Sequence, residues 1–167
     1  MNVQFKITSD LLALIRADLR RPHPFAHERV GFISAGLAQS ARATLVLARS
    51  YRPVADEDYL DEPSVGAMMG PGAIRKAMEL ALLGGVAVFH VHCHSGTGIP
   101  AFSRVDTRES AKFVPDFLKV APQNIHGSLV LSRDMAAGLF WGIGVRSPQA
   151  IGRFVEIGAP MRQWRAL

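Results

Sequence analysis

Apolar positions recur at helical spacing over residues 7–21, where Leu11, Leu12, Leu14, Ile15 and Leu19 follow the cap candidates Thr8, Ser9 and Asp10. Pro22 and Pro24 stop that helix. Two short β-branched runs, 29–34 and 43–48, read as strands joined through a hairpin loop at 36–42. An acidic loop at 52–63 leads to a second helix over 71–83, which opens on Pro71-Gly72 and ends at Gly84-Gly85. Residues 86–92 alternate as a strand, 95–100 form a glycine-bearing loop, and 107–118 hold a third helix broken at Pro115. Runs 128–132 and 139–145 read as a hairpin turning near Arg133-Asp134, and 153–157 as a last strand. Helices interleaved with strands in this order predict an α/β or α+β sheet flanked by helices.

The length of 167 residues fits a single domain over 1–167, long enough to bury one core without staples. Hydrophobic residues at 49% and charged ones at 20% are globular proportions, which excludes wholesale disorder. The single cysteine, Cys93, excludes an internal disulfide framework and a Cys-rich zinc site. The longest mainly apolar stretch, 81–92, is too short to span a bilayer, and the N-terminal run carries charges. A soluble cytoplasmic domain without membrane association is expected.

The net charge of +5 suggests nucleic acid, but its distribution argues otherwise. The basic residues are mostly Arg, scattered without a run longer than two, while Asp56, Glu57, Asp58, Asp61 and Glu62 cluster around Tyr59. Phosphate-tracking patches are concentrated on one face. An Arg-rich surface suits a carboxylate-bearing protein partner equally well, so no nucleic-acid partner is expected.

Chemistry concentrates in residues 90–106, His-Val-His-Cys-His-Ser-Gly-Thr-Gly-Ile-Pro-Ala-Phe-Ser-Arg-Val-Asp. Alternate residues of a strand share a face, so His90, His92 and His94 can converge. Polar alternation on a strand usually marks a solvated face. Here the histidines leave the apolar run Val86-Ala87-Val88-Phe89 and enter a glycine-rich loop ending in Ser103-x-x-Asp106, which has no packing rationale. Two imidazoles and a carboxylate make a three-ligand site that leaves a fourth position open, as catalytic zinc requires. Cys93 reads as a small packed side chain rather than a thiolate, and Phe140 and Trp141 as core. His23 and His27 carry no assignment, and His126 reads as strand-start material.

This constellation resembles the JAB/MPN (JAMM) zinc metalloproteases, whose signature is His-x-His, then a Ser, then an Asp three residues on. The family also places a Glu at the start of an upstream strand, which Glu28-Arg29-Val30-Gly31-Phe32-Ile33 supplies. Ser103 follows His94 by nine positions, one more than is usual, and Ser95 replaces the customary Pro. His92 and His94 are therefore the better pair, with His90 as the alternative ligand partner of His92.

The resemblance implies a cytidine-deaminase-like mixed sheet, the JAB/MPN fold, with zinc held by His92, His94 and Asp106. It makes Glu28 the proton shuttle and Ser103 the oxyanion donor, although Ser103 also reads as a helix cap for Asp106. It further implies a deubiquitinase-like isopeptidase that cuts after the C-terminal Gly of a ubiquitin-like, β-grasp protein or its conjugates. The small chain resembles the prokaryotic branch of the family, which points to a bacterial conjugation or antiphage operon. The rival readings are a zinc hydrolase of another amide, a metal-free scaffold of the same fold, and a nucleic-acid-binding module.

Overall fold

The computed structural model describes residues 2–142 and 147–165. The chain runs β1 (Val3–Thr8), α1 (Ser9–Leu19), β2 (Val30–Gln39), β3 (Thr44–Pro53) and a 3-10 turn at Asp56–Asp58. It continues through β4 (Tyr59–Leu60), β5 (Met68–Met69), α2 (Pro71–Gly84), β6 (Ala87–Cys93) and α3 (Arg104–Val120). Then come β7 (His126–Leu131), β8 (Ala136–Trp141), β9 (Gln149–Ala150), β10 (Arg153–Ile157) and β11 (Arg162–Arg165). Nine strands form one mixed sheet in the order β11-β10-β1-β3-β2-β6-β7-β8-β9, and β4 with β5 form a separate small hairpin.

The sheet curls until its two ends touch. Trp164 of β11 donates its indole N–H to the Ala136 carbonyl of β8 at 3.0 Å. The Ile151 amide reaches the Gly138 carbonyl at 2.9 Å. The core on one face of the sheet joins Leu12, Ile15 and Leu19 of α1 to Phe5, Ile33, Phe89, Phe140 and Phe154. On the opposite face α2 presents Ala73, Ala77 and Ala81, and α3 presents Val114 and Phe117, to Val30, Phe32, Val88 and Trp141. Alanines at that spacing let α2 approach the sheet closely. The arrangement is mixed α+β, as the order of elements implies, with Phe140 and Trp141 both buried.

Close packing along β6 and β7 sets the site's foundation. A methyl at Gly127 would lie 2.6 Å from the Phe89 ring and would also strike the Leu139 backbone. Gly127→Ala is therefore expected to destabilise the fold by about 1–3 kcal/mol or more, read as a lowered denaturation midpoint. An unchanged midpoint would contradict this packing.

Several elements differ from the sequence reading. β1 occupies residues that the sequence reading assigns to no element, apart from 7 and 8, which it gives to the first helix: Val3, Phe5 and Ile7 are buried while Gln4 and Lys6 are less so, a period of two. Thr8 ends it and caps α1 by accepting from the Leu11 amide. The loop expected at 36–42 is mostly strand, because β2 runs to Gln39 and pairs with Thr44 of β3. Gly36 lies inside that ladder under the Arg49 guanidinium. α3 starts at Arg104 and runs unbroken through Pro115. The carbonyl deprived of its partner belongs to Ala111, an exposed residue. The strand expected at 139–145 ends at Trp141, and positions 143–146 lie outside the described residues. β11, closing the sheet beside β10, lies beyond the last strand expected, at 153–157.

Candidate metal centre

β6 is a central strand, paired with β2 on one side and β7 on the other. Its alternation sends Phe89, Val91 and Cys93 into the α1 core. His90 and His92 face α3, where Phe113 packs against the His90 ring. Immediately past the strand, the His94 amide donates to the Leu131 carbonyl at 2.8 Å, which extends the ladder far enough to aim its imidazole beside that of His92. Residues 95–100 then turn back with Gly96 and Gly98 at positive φ, a conformation that glycine adopts freely.

α3 delivers the carboxylate. Its first turn is a capping box: the Asp106 amide donates to Ser103 Oγ at 3.0 Å, and the Ser103 amide donates to Asp106 Oδ2 at 2.7 Å. This fixes Asp106 so that Oδ2 lies 3.5 Å from His92 Nε2 and 3.4 Å from His94 Nε2. The two Nε2 atoms are 3.1 Å apart. Ligands at about 2.0–2.1 Å around a tetrahedral zinc ion stand roughly 3.3 Å from one another. A triangle with edges of 3.1, 3.4 and 3.5 Å therefore fits such an ion with its fourth position open.

Electrostatics suit a cation. Burial alone raises the Asp106 carboxyl pKa, but the His92 imidazole and the Ser103 backbone and hydroxyl groups outweigh it. Together they hold that carboxyl well below the usual carboxylate range, so it is charged at neutral pH. The His92 side chain is 3% exposed, and its Nδ1 is buried with no hydrogen-bond partner among the described residues.

Glu28 enters from the β2 side. Its amide and that of His27 both donate to the Gly66 carbonyl, at 2.9 and 2.8 Å. One donor atom each from Glu28, His92 and His94 lies within 4.8 Å of the others, close enough to share a metal ion. Glu28, expected as a proton shuttle and not as a ligand, thus lies close enough to the two imidazoles to be a ligand as well. Gly66 is what makes room for it. A methyl there would stand 2.7 Å from Glu28 Cδ and 2.8 and 3.0 Å from its carboxylate oxygens.

His90 is occupied elsewhere. Its Nδ1 shares a hydrogen bond of 3.1 Å with Ser128 Oγ, and its ring packs on Phe32 and Phe113. Burial, and then the neighbouring His92, push its pKa down to about 3, so it is neutral. Ser103 stands exposed at the start of α3, where its hydroxyl accepts the Asp106 amide and keeps a proton to donate. Cys93 turns away from the histidines, and burial pushes its thiol up, which leaves no thiolate at neutral pH. His126 accepts the Val88 amide on Nδ1 and meets the Ala121 carbonyl through Nε2, a structural role.

The hairpin of β4 and β5 was not legible as part of the site. Val65, Gly66, Ala67, Met68 and Met69 form one wall of a cavity that also touches Glu28, His92 and Asp106. Two of the acidic residues before it are anchored. Asp56 takes the buried Arg29 guanidinium at 2.7 Å, and Asp58 takes Lys76. Among the described residues no helix is long and apolar enough to cross a membrane.

No protein-family model and no curated protein matches the chain. Among solved structures it is similar to the Trichoplax adhaerens STIL N-terminal domain at 11% identity and a TM-score of 0.37. That alignment covers 80% of this chain and 39% of the other.

Proposed function

We propose that the protein is a metal-dependent amide hydrolase. The observation that carries this reading is the triangle of His92 Nε2, His94 Nε2 and Asp106 Oδ2, with Glu28 beside it and a cavity leading to it. A zinc ion held by those three groups supplies Lewis acidity and lowers the pKa of water toward about 7. Two imidazoles and one carboxylate suit zinc among common ions.

The chain's own residues divide the remaining work. Glu28 takes a proton from the attacking water. As water adds to the carbonyl carbon and the C–N bond breaks, Glu28 passes that proton to the leaving nitrogen. The Ser103 hydroxyl donates to the oxygen on which charge develops, a contribution of about 2.7–4 kcal/mol for one such donor. Asp106 and Ser103 hold each other through the capping box, so the donor and the ligand keep a fixed relation.

The finer reading is a JAB/MPN-type isopeptidase that cuts after the C-terminal Gly of a ubiquitin-like protein or its conjugates. Its support is the order and spacing of Glu28, His92, His94, Ser103 and Asp106 along the chain, together with an Arg-rich composition that suits a carboxylate-bearing modifier. A cytoplasmic setting and partners from a conjugation operon belong to the same reading. The test is a ubiquitin-like protein fused to a short C-terminal extension and incubated with zinc-loaded protein. Mass spectrometry is expected to place the cut after the terminal Gly, and chelation to abolish it. Intact fusions under every loading condition would turn the assignment toward a different amide or a scaffold.

Gly66→Ala follows from the same geometry. The added methyl is expected to push the Glu28 carboxylate aside while leaving zinc content and fold unchanged. A displacement of about 1 Å in a catalytic group costs on the order of 10²-fold, measured as the rate of fusion cleavage. Full activity in Gly66→Ala would show that the position of the Glu28 carboxylate is not critical.

A further inference from the structure

The cavity beside the metal centre has a volume of about 240 Å³. Most of its wall is apolar: Val65, Ala67, Met68 and Met69 from the β5 hairpin, Ile74 from α2 and Phe113 from α3. Glu28, His92 and Asp106 open into it at the metal end, and α3 adds Ser110 and the charged trio Arg108, Glu109 and Lys112, which pair with one another through exposed side chains at the solvent side. An apolar cavity of about 150 Å³ is enough to hold benzene, whereas sites for drug-sized ligands run from about 300 Å³ upward. The space therefore matches one large apolar side chain and not an extended ligand.

Which side of a cleaved amide fills it follows from Glu28. A group that protonates the leaving nitrogen must lie within hydrogen-bond reach of it. Glu28 lines this cavity and rests against Gly66, one residue from Ala67 on the apolar wall. Whatever is attached to the leaving nitrogen is thus directed into the cavity. A glycine on the acyl side needs no pocket, which leaves this one for the residue that follows the cut. Methionine walls adapt to side chains of different shape because the thioether chain is flexible and polarizable.

We propose that the cavity between the β5 hairpin and α3 is the subsite for the residue after the cleaved bond, and that it selects a large apolar side chain such as Leu, Met or Phe. This rests on the proposed hydrolase that cuts after a terminal Gly, and for linear fusions it adds a preference for an apolar residue after the cut.

Two measurements separate the subsite from the chemistry. The first is binding to metal-free protein, followed through the methyl resonances of Met68 and Met69, with leucinamide and glycinamide as probes of the leaving amine. Leucinamide is expected to bind at least about 10-fold more tightly, since one or two methylenes in an apolar pocket discriminate by about 10–200-fold. Met68→Trp, which fills the cavity, is expected to remove that advantage. Met68→Ala, which enlarges it, is expected to shift preference toward phenylalaninamide. Equal binding of the two amides by wild type, or an advantage that neither substitution alters, overturns the proposal. The second is cleavage by zinc-loaded protein of fusions that differ only in the residue after the terminal Gly. Leu is expected to exceed Asp by at least about 10-fold in kcat/KM, and equal rates overturn the subsite. If leucinamide binds as expected and no fusion is cut, the cavity stands as an apolar-amine site and the hydrolase reading fails.

Discussion

Glu28→Gln is expected to keep fold and zinc while lowering turnover by about 10²–10⁴-fold, the usual loss when a placed general base is removed. The substitution is nearly isosteric, so the side chain still packs against Gly66, and the Glu28 amide still donates to the Gly66 carbonyl. What disappears is a group that can accept the proton of water and release it to nitrogen. Glu28 lies close enough to His92 and His94 to serve as a ligand instead, and the same variant distinguishes the two duties. A shuttle leaves zinc stoichiometry unchanged at about one per chain, whereas a ligand lost to an amide lowers metal affinity together with rate. Cleavage at the wild-type rate in Glu28→Gln would remove Glu28 from the chemistry altogether.

The parts of the site that were legible in sequence are those governed by local rules. His92 precedes His94 by two positions at the end of an apolar strand, and a strand's period of two carries both to one side. Ser103 and Asp106 stand three apart, the spacing of a capping box, and they form one. Pro71 and Gly85 bound α2 as their backbone preferences require. What escaped depends on distant pairing. β1 has the alternation of a strand in Val3, Phe5 and Ile7, but the helical run that follows shares Ile7 and masks it. The hairpin of β4 and β5 spans two residues on each strand, too few for any period to show. Its importance lies in the contact of Gly66 with Glu28, two residues separated by 38 positions. His90, His92 and His94 look alike in the sequence. Their neighbours differ, because β7 places Ser128 opposite His90 and so gives that imidazole a hydrogen-bond partner of its own.

That difference in neighbours yields the second large effect. His92→Ala is expected to reduce bound zinc from about one per chain to background, because His92 Nε2 meets both His94 and Asp106 at ligand-edge distances. His94→Ala is expected to do the same. His90→Ala is expected to retain the metal and lose stability instead, by about 1–3 kcal/mol, since it leaves the buried Ser128 hydroxyl without its partner and opens space beneath Phe113. The two kinds of loss separate in a melting experiment with and without zinc. An ion at 100 times its dissociation constant stabilises the native state by about 2.7 kcal/mol, so wild type and His90→Ala gain on loading while His92→Ala and His94→Ala do not. Without zinc, His92→Ala loses packing and the Nε2 contacts with His94 and Asp106, whereas its Nδ1, buried with no hydrogen-bond partner among the described residues, gives up nothing. Full zinc occupancy in His92→Ala would refute the ligand triangle, and loss of zinc in His90→Ala with retention in His94→Ala would transfer the second imidazole to His90.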